Sequence, residues 1–193
     1  GLGDVYKRQP DNYVDSLVEL GFAGLKIHPR ICRTRLDSPR LRAVLKKSAN
    51  KQLPVFLCTY YWERGESLFY NNFDALVRTI DRFDDLPLVL LHGGVHDLLR
   101  LSEVSRYYQN VIIDLSFTIL KYEGSSLDMD IEYLFHKFDQ RICVGSDLPE
   151  YDYEDLRRRF EYFSRELPDE KARNIAYRNL VKFLGVSDDV FKK

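Results

Sequence analysis

Five short apolar runs, each followed by an amphipathic helical pattern, constrain this chain more than any other feature. The runs are Gly24–His28 (GLKIH), Leu53–Thr59 (LPVFLCT), Leu86–His92 (LPLVLLH), Asn110–Ser116 (NVIIDLS) and Arg141–Gly145 (RICVG). Runs of this length, rich in Val, Ile and Leu and flanked by Gly or Pro, read as buried strands. Between them apolar residues recur at helical spacing: Val14, Leu17 and Val18; Leu41, Val44 and Leu45; Leu76, Val77 and Ile80; Leu98 and Leu101; Ile131, Leu134 and Phe135; Leu156, Phe160 and Phe163. Ile175, Leu180 and Leu184 continue the pattern toward Gly185. Strands alternating with helices imply parallel pairing with right-handed crossovers. Two architectures satisfy that rule: an open doubly wound sheet, or part of an eight-stranded (β/α) barrel.

Local signals sharpen the element ends. Ser38-Pro39 is an N-cap followed by Pro at the first helical position. Asp152 opens an acidic helix start after Pro149, and Gly21 and Gly185 are natural helix stops. Asp4–Gln9 (DVYKRQ) resembles the translated end of a sequencing-library adapter. Residues 1–9 are therefore read as non-native, and residues 10–193 as one domain with no dividing linker.

A formal net charge of −1 gives no electrostatic case for nucleic acid or an anionic membrane. No apolar run reaches the roughly 20 residues needed to span a bilayer. Cys32, Cys58 and Cys143 are odd in number and lack C-x-x-C spacing. That pattern suits reduced thiols in the cytoplasm.

The polar residues of the runs gather at their ends: Lys26 and His28, Cys58, His92, Asp114, and Asp147 just after the fifth run. In parallel α/β folds the C-terminal strand ends carry the site. Imidazoles, a thiol and carboxylates are the groups that bind metals or move protons. Neither Gly-rich phosphate fingerprint is present, and Gly93-Gly94 alone does not make one. Asp114 and Ser116 read as supports of a site, and His96 and His136 as surface residues. The aromatic stretch Tyr60–Asn72 is a loop that covers a barrel mouth or closes over a substrate. Arg30, Arg33 and Arg35 form a basic loop.

The runs GLKIHPR, LPVFLCT, LPLVLLHGG, NVIIDLS, RICVGSDLP and RNLVKFLG, in this order, resemble the amidohydrolase-related branch of the amidohydrolase superfamily. That branch comprises metal-dependent hydrolases and decarboxylases on distorted (β/α)8 barrels. The resemblance implies that these strands are the fourth to the eighth of such a barrel. Five strands cannot close it, so the first and last are expected to be edges. The resemblance also implies that Asp147 binds a divalent metal and handles a proton, and that His92 is the acid–base group beside it. Lys26 and His28 are expected to bind substrate, Lys26 through a carboxylate. Cys58 stands where the family has a metal-binding histidine in a P-V-x-x-H-T context, so it is expected as a thiolate ligand or as a small buried residue. The family's first-strand H-x-H pair would precede Pro10. The implied cofactor is a divalent metal: zinc, with manganese or iron as alternatives. The implied partner is a small carbonyl or carboxylate substrate, with homo-oligomerisation left open. The other function the sequence allows is a non-catalytic or metal-independent binding protein of the same fold.

Overall fold

A computed structural model of the chain describes residues 10–61 and 72–186. The called non-native segment 1–9 and most of the aromatic loop lie outside the described residues. The elements follow the expected alternation. Strands are β1 (Leu25–Ile27), β2 (Val55–Cys58), β3 (Leu88–Leu91), β4 (Val111–Asp114) and β5 (Ile142–Cys143). Helices are α1 (Pro10–Glu19), α2 (Pro39–Asn50), α3 (Asn72–Arg82), α4 (Leu98–Tyr107), α5 (Thr118–Lys121), α6 (Leu127–Lys137), α7 (Tyr153–Ser164), α8 (Asp169–Arg173) and α9 (Asn179–Phe183). A 3-10 segment, His92–Asp97, links β3 to α4, and a π-helical turn, Asn174–Arg178, joins α8 to α9.

The sheet runs in sequence order, β1-β2-β3-β4-β5. A doubly wound sheet reverses its order at a switch point. The unreversed order is that of a barrel, so the fold is part of a (β/α)8 barrel. Among the described residues, β1 and β5 end the sheet.

The strands are shorter than the apolar runs that announce them. Pro54 and Pro87 precede β2 and β3 without an N–H to donate. Their carbonyls still join the ladder, accepting from Leu25 N and Val55 N at 2.9 Å each. At the other ends the chain leaves the extended region early, because His92 and Asp147 take left-handed backbone angles.

The chain divides into two compact units, and the division runs through β3 and β4. The first takes the described residues up to Val89 together with Tyr108–Val111. Here β1 pairs in parallel with β2, Leu25 opposite Val55 and Ile27 opposite Leu57. Leu25, Ile27, Val55 and Leu57 are buried with Leu41, Leu45, Leu76 and Ile80 from α2 and α3. Each such side chain contributes on the order of 2 kcal/mol by leaving water. Ser38 caps α2 by accepting from Leu41 N at 3.2 Å. Asn110 Nδ2 donates to the carbonyls of Phe83 (3.0 Å) and Leu86 (2.8 Å), fixing the turn before β3.

The second unit takes Leu90–Tyr107 and the described residues from Ile112 onward. Ile113 lies opposite Ile142 and Asp114 opposite Cys143 in a parallel pair. Leu98, Leu101, Ile113, Ile131, Phe135, Phe163 and Ile175 are buried in its core. Asp152 caps α7, accepting from Asp155 N at 2.8 Å. Arg159 of α7 is buried too. Its Nε donates to Ile119 O at 2.9 Å, and its guanidinium pairs with Asp128 and packs on Phe163, 4.7 Å from the ring centroid. Asn179 Nδ2 donates to Asp139 O (2.6 Å) and Ile142 O (2.7 Å), holding the entry to β5.

Candidate active site

The turns that leave β3, β4 and β5 share an unusual backbone. His92 (φ +69°), Phe117 (φ +63°) and Asp147 (φ +61°) are left-handed, and so is Val95 (φ +56°, ψ −103°). The left-handed region disfavours side chains with a Cβ, and β-branched Val most of all. Such conformations cluster at functional sites, where surrounding contacts hold them. Gly93 and Gly94 follow His92 with φ of +57° and +69°. A Cβ on Gly93 would meet Leu98 Cδ1 at 2.9 Å, so this turn requires glycine.

His92 is buried, and its two ring nitrogens face different partners. Nδ1 lies 3.1 Å from the carbonyl oxygen of Ser116 and 3.4 Å from Ser116 Oγ. A carbonyl only accepts, so Nδ1 carries the hydrogen and donates. In the neutral ring Nε2 is then the unprotonated nitrogen. It faces Asp147, whose Oδ2 is 3.9 Å away. The His92 carbonyl accepts from Thr118 Oγ1 at 2.7 Å, and the Phe117 ring meets the imidazole edge-on at 5.4 Å between centroids. Phe117 in turn touches the Tyr151 ring at 6.1 Å and carries Lys121 Nζ over its face at 5.1 Å. Burial raises the Tyr151 phenol above its ordinary value, helped by Glu150 and Asp155.

Behind Ser116 lies a buried carboxylate. Asp114 Oδ1 accepts from Ser116 N (3.2 Å) and from the Cys143 thiol (3.8 Å), while Oδ2 accepts from Ser116 Oγ. Gly145 lets this cluster close, because a Cβ there would sit 3.3 Å from Ser116 Cβ. Burial pushes the Cys143 thiol well above its ordinary value, and the charge and hydrogen bond of Asp114 push it the same way. Both effects favour the protonated thiol, which donates to Asp114.

The structure brings His92 and Asp147 together at the strand ends of one unit. In the other unit Cys58 is buried at the end of β2, its Sγ 3.9 Å from Tyr60 O. His28 is half-buried just after β1, and Lys26 is exposed within it. Of the loop arginines, Arg35 is committed to Asp37 through two hydrogen bonds of 3.1 Å, and Arg30 packs 5.2 Å from the Tyr60 ring centroid. His96 is exposed, as expected of a surface residue. The Cys143–Asp114 contact is the part sequence reasoning missed. No local signal marked it, because the two residues lie in different strands and meet only through their register.

A half-buried carboxylate and a buried imidazole whose Nε2 faces it are groups that suit metal binding or proton transfer. Parallel strands in sequence order, with polar groups gathered beyond their C-terminal ends, define a (β/α)-barrel fold. The family model for amidohydrolases matches residues 7–186, and the chain belongs to that family. No curated protein matches it.

Solved structures with the same fold include an uncharacterised TIM-barrel protein from Bordetella bronchiseptica. It is 18% identical, with a TM-score of 0.74, over 90% of this chain and 61% of that one. A 5-carboxyvanillate decarboxylase from Sphingomonas paucimobilis is 16% identical, with a TM-score of 0.66, over 92% of this chain and 64% of that one. A dihydroxybenzoic acid decarboxylase from Polaromonas, with bound manganese and the inhibitor 2-nitroresorcinol, is 12% identical. Its TM-score is 0.65, over 91% of this chain and 64% of that one. The chain thus spans less than two thirds of the length of these three structures. Among the described residues no helix is long and apolar enough to cross a membrane.

Proposed function

We propose that this chain carries the acid–base part of a metal-dependent hydrolase or decarboxylase acting on a small carbonyl or carboxylate compound. The observation that supports this most is the His92–Asp147 pair, with Nδ1 committed to Ser116 and Nε2 turned to the carboxylate. In this reading Asp147 and Cys58 hold the metal. A carboxylate and a thiolate as donors suit zinc, with manganese or iron as alternatives. When bound, the metal would polarise a substrate oxygen and lower the pKa of a water.

The chain's own residues do the rest. His92 Nε2 takes up a proton and returns it, and Asp147 stabilises the imidazolium that forms. Ser116 keeps the ring in one orientation through both proton transfers. Lys26 and His28 bind the substrate, Lys26 offering its ammonium to a carboxylate. Three free cysteines suit the cytoplasm as the compartment.

Equilibrium dialysis against zinc and manganese tests the reading. Wild-type protein is expected to retain metal, and D147N and C58S to retain less. No retained zinc, manganese or iron, or equal retention in wild type and D147N, would overturn it. A non-catalytic binding protein of the same fold would then take its place.

A further inference from the structure

We propose that Asp114 is a positioning residue for His92, acting through the Ser116 hydroxyl to fix which ring nitrogen carries the hydrogen. The inference rests on His92 being the acid–base group, and it adds a residue that selects the form in which His92 can act.

The argument is one of donors and acceptors. Asp114 is buried and opposite Cys143 in the β4–β5 pair. Three donors converge on it: the Ser116 N–H, the Ser116 hydroxyl and the Cys143 thiol. An ionised carboxylate accepts from all three and donates nothing. The Ser116 hydroxyl must therefore spend its single hydrogen on Asp114 Oδ2. Its lone pairs are left for His92 Nδ1, 3.4 Å away. Together with the Ser116 carbonyl at 3.1 Å, this places two acceptors beside Nδ1. The ring then holds its hydrogen on Nδ1, and the lone pair of Nε2 points at Asp147.

Asparagine at position 114 reverses one link. Its oxygen can keep the Ser116 N–H and the thiol on the Oδ1 side. The amide nitrogen then replaces Oδ2 and donates to Ser116 Oγ. The hydroxyl hydrogen is released toward His92 Nδ1, which favours the tautomer with the hydrogen on Nε2. That form presents no lone pair to the site.

The test is nitrogen NMR of the metal-free, substrate-free chain labelled at histidine. It is recorded about two pH units above the ordinary imidazole pKa of roughly 6.5, which favours neutral rings. The chain has only four histidines, and the His92 signals are those lost in H92Q. Wild type is expected to show the Nδ1–H form in excess. D114N is expected to lower the ratio of Nδ1–H to Nε2–H forms by roughly tenfold, the scale of one hydrogen bond. C143A, which removes a donor but keeps the carboxylate, is expected to leave the ratio unchanged.

A folded D114N with the wild-type ratio would overturn the proposal. If D114N does not fold, S116A decides: a lowered ratio supports the proposal and an unchanged one overturns it. The readout needs neither metal nor turnover, so it fails or succeeds separately from the proposed activity.

Discussion

His92 Nε2 stands 3.9 Å from Asp147 Oδ2, and both residues hold a left-handed backbone at the ends of their strands. The pair separates two kinds of failure. H92Q removes the proton carrier and is expected to lower turnover on small carboxylate substrates by roughly 10²- to 10⁴-fold while metal content stays near wild type. D147N is expected to lose turnover and metal together. Parallel measurements of kcat and bound metal decide this, and equal metal loss in both variants would contradict the division of roles.

The backbone at Asp147 predicts a conflict between stability and chemistry. D147G and D147A both delete the carboxylate, but only glycine relaxes the left-handed angle. D147G is expected to be more stable than D147A by about 1 kcal/mol in urea unfolding. Equal midpoints would show that the turn carries no such strain.

Arg159 is expected to be the costliest charge to remove. Its side chain is 3% exposed, and its partners are Asp128, Glu123 and the Ile119 carbonyl. R159A leaves Asp128 without its cation and should destabilise the fold by about 3 kcal/mol. R158A, on the exposed face of the same helix, should cost less than about 1 kcal/mol. Denaturant midpoints of the two variants provide the comparison.

The Cys143 thiol gives a pH dependence with a definite sign. Its folded pKa is raised, first by burial and then by Asp114. Below the ordinary thiol pKa of 9.0 both folded and unfolded forms hold the proton, and the contribution is fully present. As pH rises past that value the unfolded chain ionises first, and the contribution is lost toward the folded pKa. Wild type is therefore expected to lose stability more steeply than C143A as the pH rises above 9.0. Iodoacetamide at pH 8 should also modify half-buried Cys32 well before Cys143. Equal labelling rates would refute the buried, protonated state.

The helix caps are a smaller matter. S38A and D152A each remove a side-chain acceptor from a helix start, and each is expected to cost about 1 kcal/mol. Thermal unfolding of the single variants measures it.

Much of this architecture could be read from residue order. Period and punctuation located all five strands, and Ser38 and Asp152 marked their helix starts because capping is a local event. His92 and Asp147 stood out as polar groups closing apolar runs. What stayed hidden depends on the third dimension. No local pattern predicts a left-handed Val95 or Phe117, because their angles are imposed by neighbours. Cys143 looked like one more apolar residue in its strand, since its partner lies in another. Arg159 sits in a run of three arginines. Its spacing, three residues after Leu156 and four before Phe163, shares their face and could have singled it out.

The Arg159 anchor reaches further than its own helix. Its Nε is tied to the Ile119 carbonyl, and the adjacent Thr118 is tied to the His92 carbonyl. Two hydrogen bonds and one peptide unit therefore form a strut from α7 to the His92 backbone. A rigid strut transmits displacement. Slack at its far end would reach His92 as misalignment, with every group around the ring still in place.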